Sequence, residues 1–407
     1  MNNRICLVSQ RTIAGDPRLS TQLQSLKNAG YEIDVVCVRG KNQTFRGEEN
    51  GIQFYRIASM DRKRASKTRY IVEYASFFIP AFFLLAFLQI VRGYRVVHVT
   101  NLPDLLLFAA AVPKLLGAKL IFDVRECTPE MFIDRFGASP QGRVVRVMTA
   151  IEQACIKFAN ATITCTEQMR QALIKRGGAP DKISVMLNMP IVHLQKEAKL
   201  PDPTDQAKND FRLITHGTVI RRYGHELLID AMAEVVKTAP QVHLTVYGKG
   251  ELLPALDAQI KRLKLQDNVK LGGYVSEEEL LTRLREAHCG VVPILQNPES
   301  DLVHTHKMFE YIHLGLPTII SRTTAVAAYF TDESLRFYKP NDAHALAEAI
   351  VELANNPQKR YDLASHALTV YENYSPEKQY AMYSALVARL INEQPVGTPK
   401  LEMGREN

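Results

Sequence analysis

From Arg4 to Tyr338, apolar runs of strand length take turns with segments whose apolar positions recur at helical spacing. A chain written this way folds as repeated β-α units, which call for parallel strands with helices laid over them. The strand-like runs fall at Arg4–Gln10, Glu32–Arg39, Ile52–Ile57, Val96–Asn101, Lys119–Asp123, Ala161–Thr166 and Lys182–Asn188. A second block follows at Arg212–Gly217, His243–Tyr247, Val269–Gly273, Gly290–Ile294, Thr318–Ser321 and Arg336–Tyr338. Helices are predicted to start near Arg18, Tyr70, Asp104, Gly142 and Glu167, then near Gly224, Glu251, Ser276, His306, Ala343 and Pro357. Two doubly wound parallel sheets in series account for the pattern, and 407 residues suffice for two domains at roughly 100–200 residues each.

Between the blocks, NMPIVHLQKEAKLPDPTDQAKND lacks periodicity and holds three prolines, so residues 189–210 read as a linker. That leaves an N-terminal Rossmann-like domain over 1–188 and a C-terminal one over 211–374. Residues 375–393 form a helix with no strand after it, free to cross back onto the first domain, and 394–407 read as a loose polar tail.

A net charge of +7 suits an anionic partner, but the excess is small for this length and no nucleic-acid module accompanies it. A phosphorylated small molecule or an anionic membrane surface fits better. Six cysteines without a C-x-x-C pair, four of them in or beside strand-like runs, read as buried free thiols of a reducing compartment. MNNRICLVSQ has no apolar signal core, so the expected location is the cytoplasm.

Tyr74–Val91 (YASFFIPAFFLLAFLQIV) is eighteen residues without a charge, directly after DRKRASKTR with its five basic residues. The length admits a membrane span, at about 18–20 apolar residues per bilayer. A span would, however, part the strands before it from those after it. Two readings stand beside it: a buried core helix after a solvated basic loop, and a sheet-packed helix whose aromatic face touches an anionic inner membrane through residues 61–91.

The richest stretch is HKMFEYIHLGLPTIIS, His306–Ser321. It reads as a short helix from near Lys307, ended by Gly315, then Pro317 and a strand. Glu310 lies one turn from Lys307 near the helix start, where backbone N–H groups and the helix dipole hold phosphate. A carboxylate would there reach ribose hydroxyls and an ammonium the diphosphate.

This stretch resembles the K-x-x-E-Y-x-x-x-G-x-P signature of nucleotide-sugar-dependent glycosyltransferases of the GT-B fold, specifically the large retaining family 4. HGTVIRRYGHELLIDAM (His216–Met232), TVYGKG (Thr245–Gly250) and LGGYV (Leu271–Val275) are similar to that family's Gly-rich turn, its strand with G-x-G and its base-contacting loop. In the first half, VHVTNLPD (Val97–Asp104) and FDVRECTPE (Phe122–Glu130) look like its two strand-end loops. The resemblance implies two Rossmann-like domains facing a cleft, and transfer of a hexosyl group, with retention, from a UDP- or GDP-type sugar to a glycan or lipid-linked acceptor in bacterial cell-surface polysaccharide assembly. It assigns the ribose to Glu310, the diphosphate to Lys307 with Arg221 and Arg222, and the rest of the donor site to Gly217, Tyr247, Gly248, Gly250, Tyr274, Thr305 and His306. Arg125 and Glu126 join the catalytic set, and Gly15, Asp16, Arg18 and Asn101 line the acceptor side.

The chain departs from the family at two places. The first Glu of its E-x7-E pattern falls on Leu302, with Asp301 adjacent as a stand-in, and its phosphate-binding pair falls on Thr218 and Tyr223, beside Arg221 and Arg222. Cations and helix N-termini aimed at a leaving diphosphate stabilise the developing charge without a metal, and His304-x-His306 lacks a third ligand, so neither metal nor cofactor is expected. Asp16-Pro17 reads equally as a ligand loop or a plain turn, Asp104 as an N-cap, and Ser276-Glu-Glu-Glu279 as a capping box. A sugar-nucleotide 2-epimerase and an inactive membrane-associated scaffold share the architecture. The first needs carboxylates that are not evident here, and the second would bind no nucleotide sugar.

Overall fold

The computed structural model describes residues 3–13, 16–58, 67–189, 198–205 and 210–392. The chain divides into two units, residues 1–187 with 377 onward, and residues 188–376. Gly15, the basic residues 62–64, most of the 189–210 linker and the 394–407 tail lie outside the described residues.

The first unit is built on β1 (Arg4–Ser9), β2 (Glu32–Val38), β3 (Arg46–Glu49), β4 (Ile52–Ile57), β5 (Val96–Thr100), β6 (Lys119–Val124), β7 (Ala161–Thr164) and β8 (Ile183–Val185). They lie in the order β3-β4-β2-β1-β5-β6-β7-β8, parallel except for the β3–β4 hairpin. β3, reading RGEE, has no apolar periodicity to announce it. It is an edge strand joined to β4 through Asn50-Gly51, both at positive φ (52° and 76°), as a two-residue hairpin turn requires. Two further expectations are corrected. The strand expected over Lys182–Asn188 shrinks to β8, and FDVRECTPE, expected to be a loop after its strand, runs into a helix at Thr128–Phe136.

Ile5, Leu7, Val35, Val96 and Ile121 of the sheet pack with Leu19, Leu23 and Leu26 of the helix Pro17–Asn28. The last helix, Pro376–Asn392, adds Tyr383, Leu386 and Val387 to that core. Gln379 Oε1 accepts from the Leu187 amide at 2.9 Å, and Ser25 and Ser384 hydroxyls meet at 2.7 Å. The long helix Lys67–Arg92 buries Phe77, Ala81, Leu85 and Leu88 in this unit, while β4 before it and β5 after it belong to one sheet. All six cysteines are buried and unpaired.

The second unit carries β9 (Phe211–His216), β10 (Val242–Tyr247), β11 (Val269–Gly273), β12 (Cys289–Val292), β13 (Thr318–Ser321) and β14 (Arg336–Tyr338). Their order is β11-β10-β9-β12-β13-β14, all parallel, which is the 3-2-1-4-5-6 order of a Rossmann sheet. The order reverses between β9 and β12, where Leu213 faces Cys289 and Ile214 faces Gly290. Ligands of open parallel sheets bind beyond the carboxyl ends of strands at such a reversal.

Candidate functional site

At the carboxyl end of β9 stand His216 and Gly217. Beside them starts the helix His306–His313, which ends at Leu314 and Gly315, the latter left-handed at φ 74°. The helix is seated by Tyr311, whose ring lies where a side chain on Gly290 of β12 would be; a Cβ there would come within 2.3 Å of it. Thr305 precedes the helix without giving it a side-chain cap, so the first-turn N–H groups lack that partner.

Lys307, in this first turn, is 7% exposed and packs over Gly217, whose φ of +111° and lack of a Cβ leave the space Lys307 Cε fills. Its ammonium sits 4.5 Å from the Tyr223 ring centroid and makes no ion pair among the described residues. Burial, assisted by Arg222 and opposed by Glu310, pushes its pKa down to about 8. A buried ammonium held this way at an uncapped helix start, with no carboxylate at ion-pair distance among the described residues, suits an anion. Burial and the nearness of Lys307 likewise lower His225 to about 3; His225 opens a second helix, His225–Thr238, also without a side-chain cap.

One turn on, a Glu310 oxygen stands 2.9 Å from His216 Nε2. Burial alone would raise the Glu310 pKa, but His216, His306 and Lys307 outweigh it and hold the acid below its usual range. Glu310 is thus a charged acceptor at neutral pH. His304 is engaged differently, edge-on to Phe309 at 4.8 Å and to Tyr329 at 5.9 Å.

The two arginines divide. Arg222 pairs with the buried Glu299 and donates to the Tyr223 hydroxyl at 3.2 Å. The Arg221 side chain is 82% exposed, with Glu226 4.0 Å away. Asp301, expected as a stand-in for the missing Glu, accepts from the Thr324 amide (2.9 Å) and hydroxyl (3.0 Å) and from Gln296 (3.0 Å), so it is tied to the start of the Thr324–Ala327 turn. Gly248 and Gly250 have a packing reason: Cβ atoms there would fall 1.8 Å from Gly217 O and 1.9 Å from Val219 O, so the two loops meet backbone to backbone. Tyr247 lies against Gly272, and Tyr274 is 68% exposed with Lys249 Nζ 3.6 Å over its ring.

The residues expected on the acceptor side assemble in the first unit, largely upon one another. Asp123, fully buried, receives Arg18 (2.8 Å), Arg125 (3.0 Å) and Gln22 (3.3 Å), with His98 Nε2 at 3.4 Å. Burial would raise its pKa, yet Arg18, Arg125 and His98 hold it well below the usual carboxylate range. Arg125 also donates to Asp16 Oδ2 at 2.6 Å, while Asp16 Oδ1 caps the helix Pro17–Asn28 by accepting from the Leu19 amide. Asn101 bridges two strand ends, accepting from the Arg125 amide and donating to Glu126 O and Asp104. Glu126 keeps its carboxylate a quarter exposed, 3.4 Å from Arg11. Asp104, expected as an N-cap, makes no such bond; Thr128 and Asn101 donate to its buried carboxylate, tying the β5 and β6 loops. Sequence reading missed His216, Tyr223 and Glu299 in the second unit, and His98, Asp123 and Tyr383 in the first. The signal for His98 and Asp123 was there: each is a polar residue with apolar neighbours on both sides within its strand, VVHVT and KLIFDV.

A Rossmann-ordered sheet whose strand-order reversal stands beside a helix start with a buried lysine that makes no ion pair among the described residues suits a phosphorylated ligand. Comparisons with known proteins carry this further. Residues 196–369 match the model "Glycosyl transferases group 1", and residues 16–188 match "Glycosyl transferase 4-like domain". The chain belongs to the group 1, family 4 type of GT-B glycosyltransferases.

Among curated relatives, the amylovoran biosynthesis glycosyltransferase AmsK of Erwinia amylovora is 26% identical over 184 residues, 45% of this chain and 44% of that protein. The chain therefore spans less than half the length of that relative. The chitobiosyldiphosphodolichol beta-mannosyltransferase of Candida glabrata is 21% identical over 90% of this chain and 86% of its own. Among solved structures, sucrose-phosphate synthase of Thermosynechococcus elongatus superposes with a TM-score of 0.76 at 18% identity, covering 96% of this chain and 100% of that one. Anabaena HepE, solved in complex with UDP-glucose, gives 0.69 at 16% identity, covering 95% and 99%.

Proposed function

We propose that the second unit binds a hexose nucleoside diphosphate, of the UDP or GDP type, and that the chain transfers the hexosyl group with retention to a glycan or lipid-linked acceptor. The observation that carries the donor reading is Lys307, buried beside Gly217 at an uncapped helix start, with the charged Glu310 one turn further on. Lys307 and the first-turn amides take the diphosphate, Arg221 closes over it from the exposed side, and Glu310 accepts from the ribose hydroxyls with His216 holding its carboxylate.

In the reaction the bond from the anomeric carbon to the phosphate oxygen breaks, the acceptor oxygen bonds that carbon on the same face, and the acceptor proton passes to the leaving phosphate. The charge that builds on the diphosphate meets fixed cations and helix-terminal N–H groups, so no metal is needed. The UDP-glucose complex of HepE supports the donor class. The names of AmsK and the chitobiosyldiphosphodolichol mannosyltransferase support a glycan-building role and, for the latter, a lipid-diphosphate-linked acceptor. The acceptor reading rests on the strand-end loops of the first unit, and the site of action is the cytoplasmic face of a bacterial membrane.

A thermal-shift and calorimetric screen of UDP-, GDP-, dTDP- and ADP-sugars tests the donor. A ligand at 100 times its dissociation constant adds about 2.7 kcal/mol. Glu310→Ala is expected to weaken binding of the hit and slow turnover; unchanged affinity and rate would defeat the reading. Proton NMR of the first product formed reads the anomeric configuration directly.

A further inference from the structure

We propose that the first unit lies on an anionic lipid bilayer through an apolar face made by two elements, the helix Lys67–Arg92 and the Leu115–Leu116 corner. The inference goes beyond the proposed reaction and does not depend on it. At about 100° per residue, Val72, Ile79, Phe83, Phe87 and Ile90 fall on one arc of the helix, and Phe77, Ala81, Leu85 and Leu88 fall opposite. The second set is buried in the unit, whereas Phe83 is 67% and Ile90 75% exposed. Over Val72–Arg92 the mean hydropathy is 2.0, yet only 28% of the apolar window is buried.

A soluble surface helix is apolar on one stripe and polar on the other; this one is apolar on both. Leu115, 85% exposed, and Leu116, 57% exposed, extend the outer stripe. Leu116 and Gly117 line one cavity together with Gln89 and Gly93 at the end of the helix, so the two apolar elements adjoin there. Exposed apolar area of this kind marks an interaction surface.

Charge selects the occupant. The only carboxylate of the helix, Glu73, is buried, and the same cavity presents Arg95 and Lys119 beside Leu116. An apolar surface bordered by cations matches acyl chains beneath anionic headgroups. The helix does not cross the bilayer. Its inner arc is covered by protein, and the strands on either side of it share a sheet, so it lies in the interface.

The chain contains no tryptophan, which makes Phe87→Trp a background-free reporter. With phosphatidylglycerol-containing vesicles its emission is expected to move to shorter wavelength, and with pure phosphatidylcholine vesicles to move less. In flotation, the full chain is expected to rise with anionic vesicles, and Phe83→Ser/Phe87→Ser to lose at least about tenfold in partition, since each ring forfeits its transfer into an apolar phase. Leu115→Ser/Leu116→Ser, on the second element, should lose severalfold. Both double variants should keep the nucleotide-sugar thermal shift of the wild type, which separates this test from that of the donor site. If the wild type stays with the unbound fraction, or Phe83→Ser/Phe87→Ser floats unchanged, the proposal falls. It also falls if sedimentation shows a dimer that Phe83→Ser/Phe87→Ser abolishes and vesicles do not bind, because a second copy then covers the face.

Discussion

Two groups of buried charge, one in each unit, are built oppositely. Around Asp123 two arginines, a histidine and a glutamine converge on one carboxylate, and Arg125 reaches a second at Asp16. Around Lys307 the cation is buried with aromatic and glycine neighbours and no ion-paired carboxylate among the described residues, while Glu310, the acid that acts on it, is turned to His216. A charge satisfied inside the protein maintains structure; a charge held without its counter-ion costs stability and is explained by a ligand that brings one. On this ground the Asp123 group is expected to act in the architecture and the Lys307 group in the proposed donor binding, although the sequence marked Arg18 and Arg125 as site residues as readily as Lys307.

The largest effect should come from breaking the satisfied group. Asp123→Asn leaves Arg18, 3% exposed, and Arg125 without their shared carboxylate, and should cost about 3–5 kcal/mol in urea unfolding. A loss under 1 kcal/mol would mean that the arginines find other partners and that the group is not structural. Lys307→Ala should do the reverse. It removes a charge-assisted contact to the diphosphate, weakening donor binding by about 1.5–3 kcal/mol, roughly ten- to a hundredfold, with unfolding stability unchanged or raised. A destabilised Lys307→Ala would place the lysine with the architecture.

The same contrast has a pH signature. Lys307 titrates at about 8, so in the free protein its cationic form prevails below that value and is lost above it. Donor affinity should therefore fall about tenfold between pH 7 and pH 9, a range in which Glu310, lowered, stays charged throughout. Lys307→Arg, whose guanidinium does not deprotonate, should flatten the profile. A wild-type profile already flat across this range would show that the buried ammonium is not what the diphosphate meets.

How much of this was legible in the sequence follows from how local each part is. The β-α alternation is a local signal repeated along the chain, and β4, β11, β13 and β14 begin and end at the residues expected. β3 escaped because an exposed edge strand has no apolar pattern, although Asn50-Gly51 carried the hairpin signal. The helix proposed to hold the donor was readable because Lys307, Glu310 and Gly315 sit in one short helix and its cap. The Asp123 group was not, since Arg18, His98, the Asp123–Arg125 strand end and Tyr383 come from four separate segments and only the folded sheet brings them together. Once folded, Arg125 donates to Asp123 and Asp16, a partnership its spacing in the sequence does not show.

The two adjacent arginines give the finest division between the classes. Arg222, bound to the buried Glu299 and to Tyr223, belongs by its contacts with the satisfied charges, and Arg222→Ala should cost about 1–3 kcal/mol of stability by removing the cation paired with the buried Glu299. Arg221 projects from the neighbouring position with its side chain in solvent and, among the described residues, Glu226 alone at 4.0 Å, so Arg221→Ala should leave unfolding unaltered. Its contribution appears only with ligand present, as a weakening of about threefold that shrinks as salt is raised, since an exposed guanidinium acts on a diphosphate through a screened field. If instead Arg222→Ala weakens the donor strongly at unchanged stability, the Glu299 pair is an arm that opens to release its arginine to phosphate, and pairing in the ligand-free protein does not by itself distinguish architecture from binding.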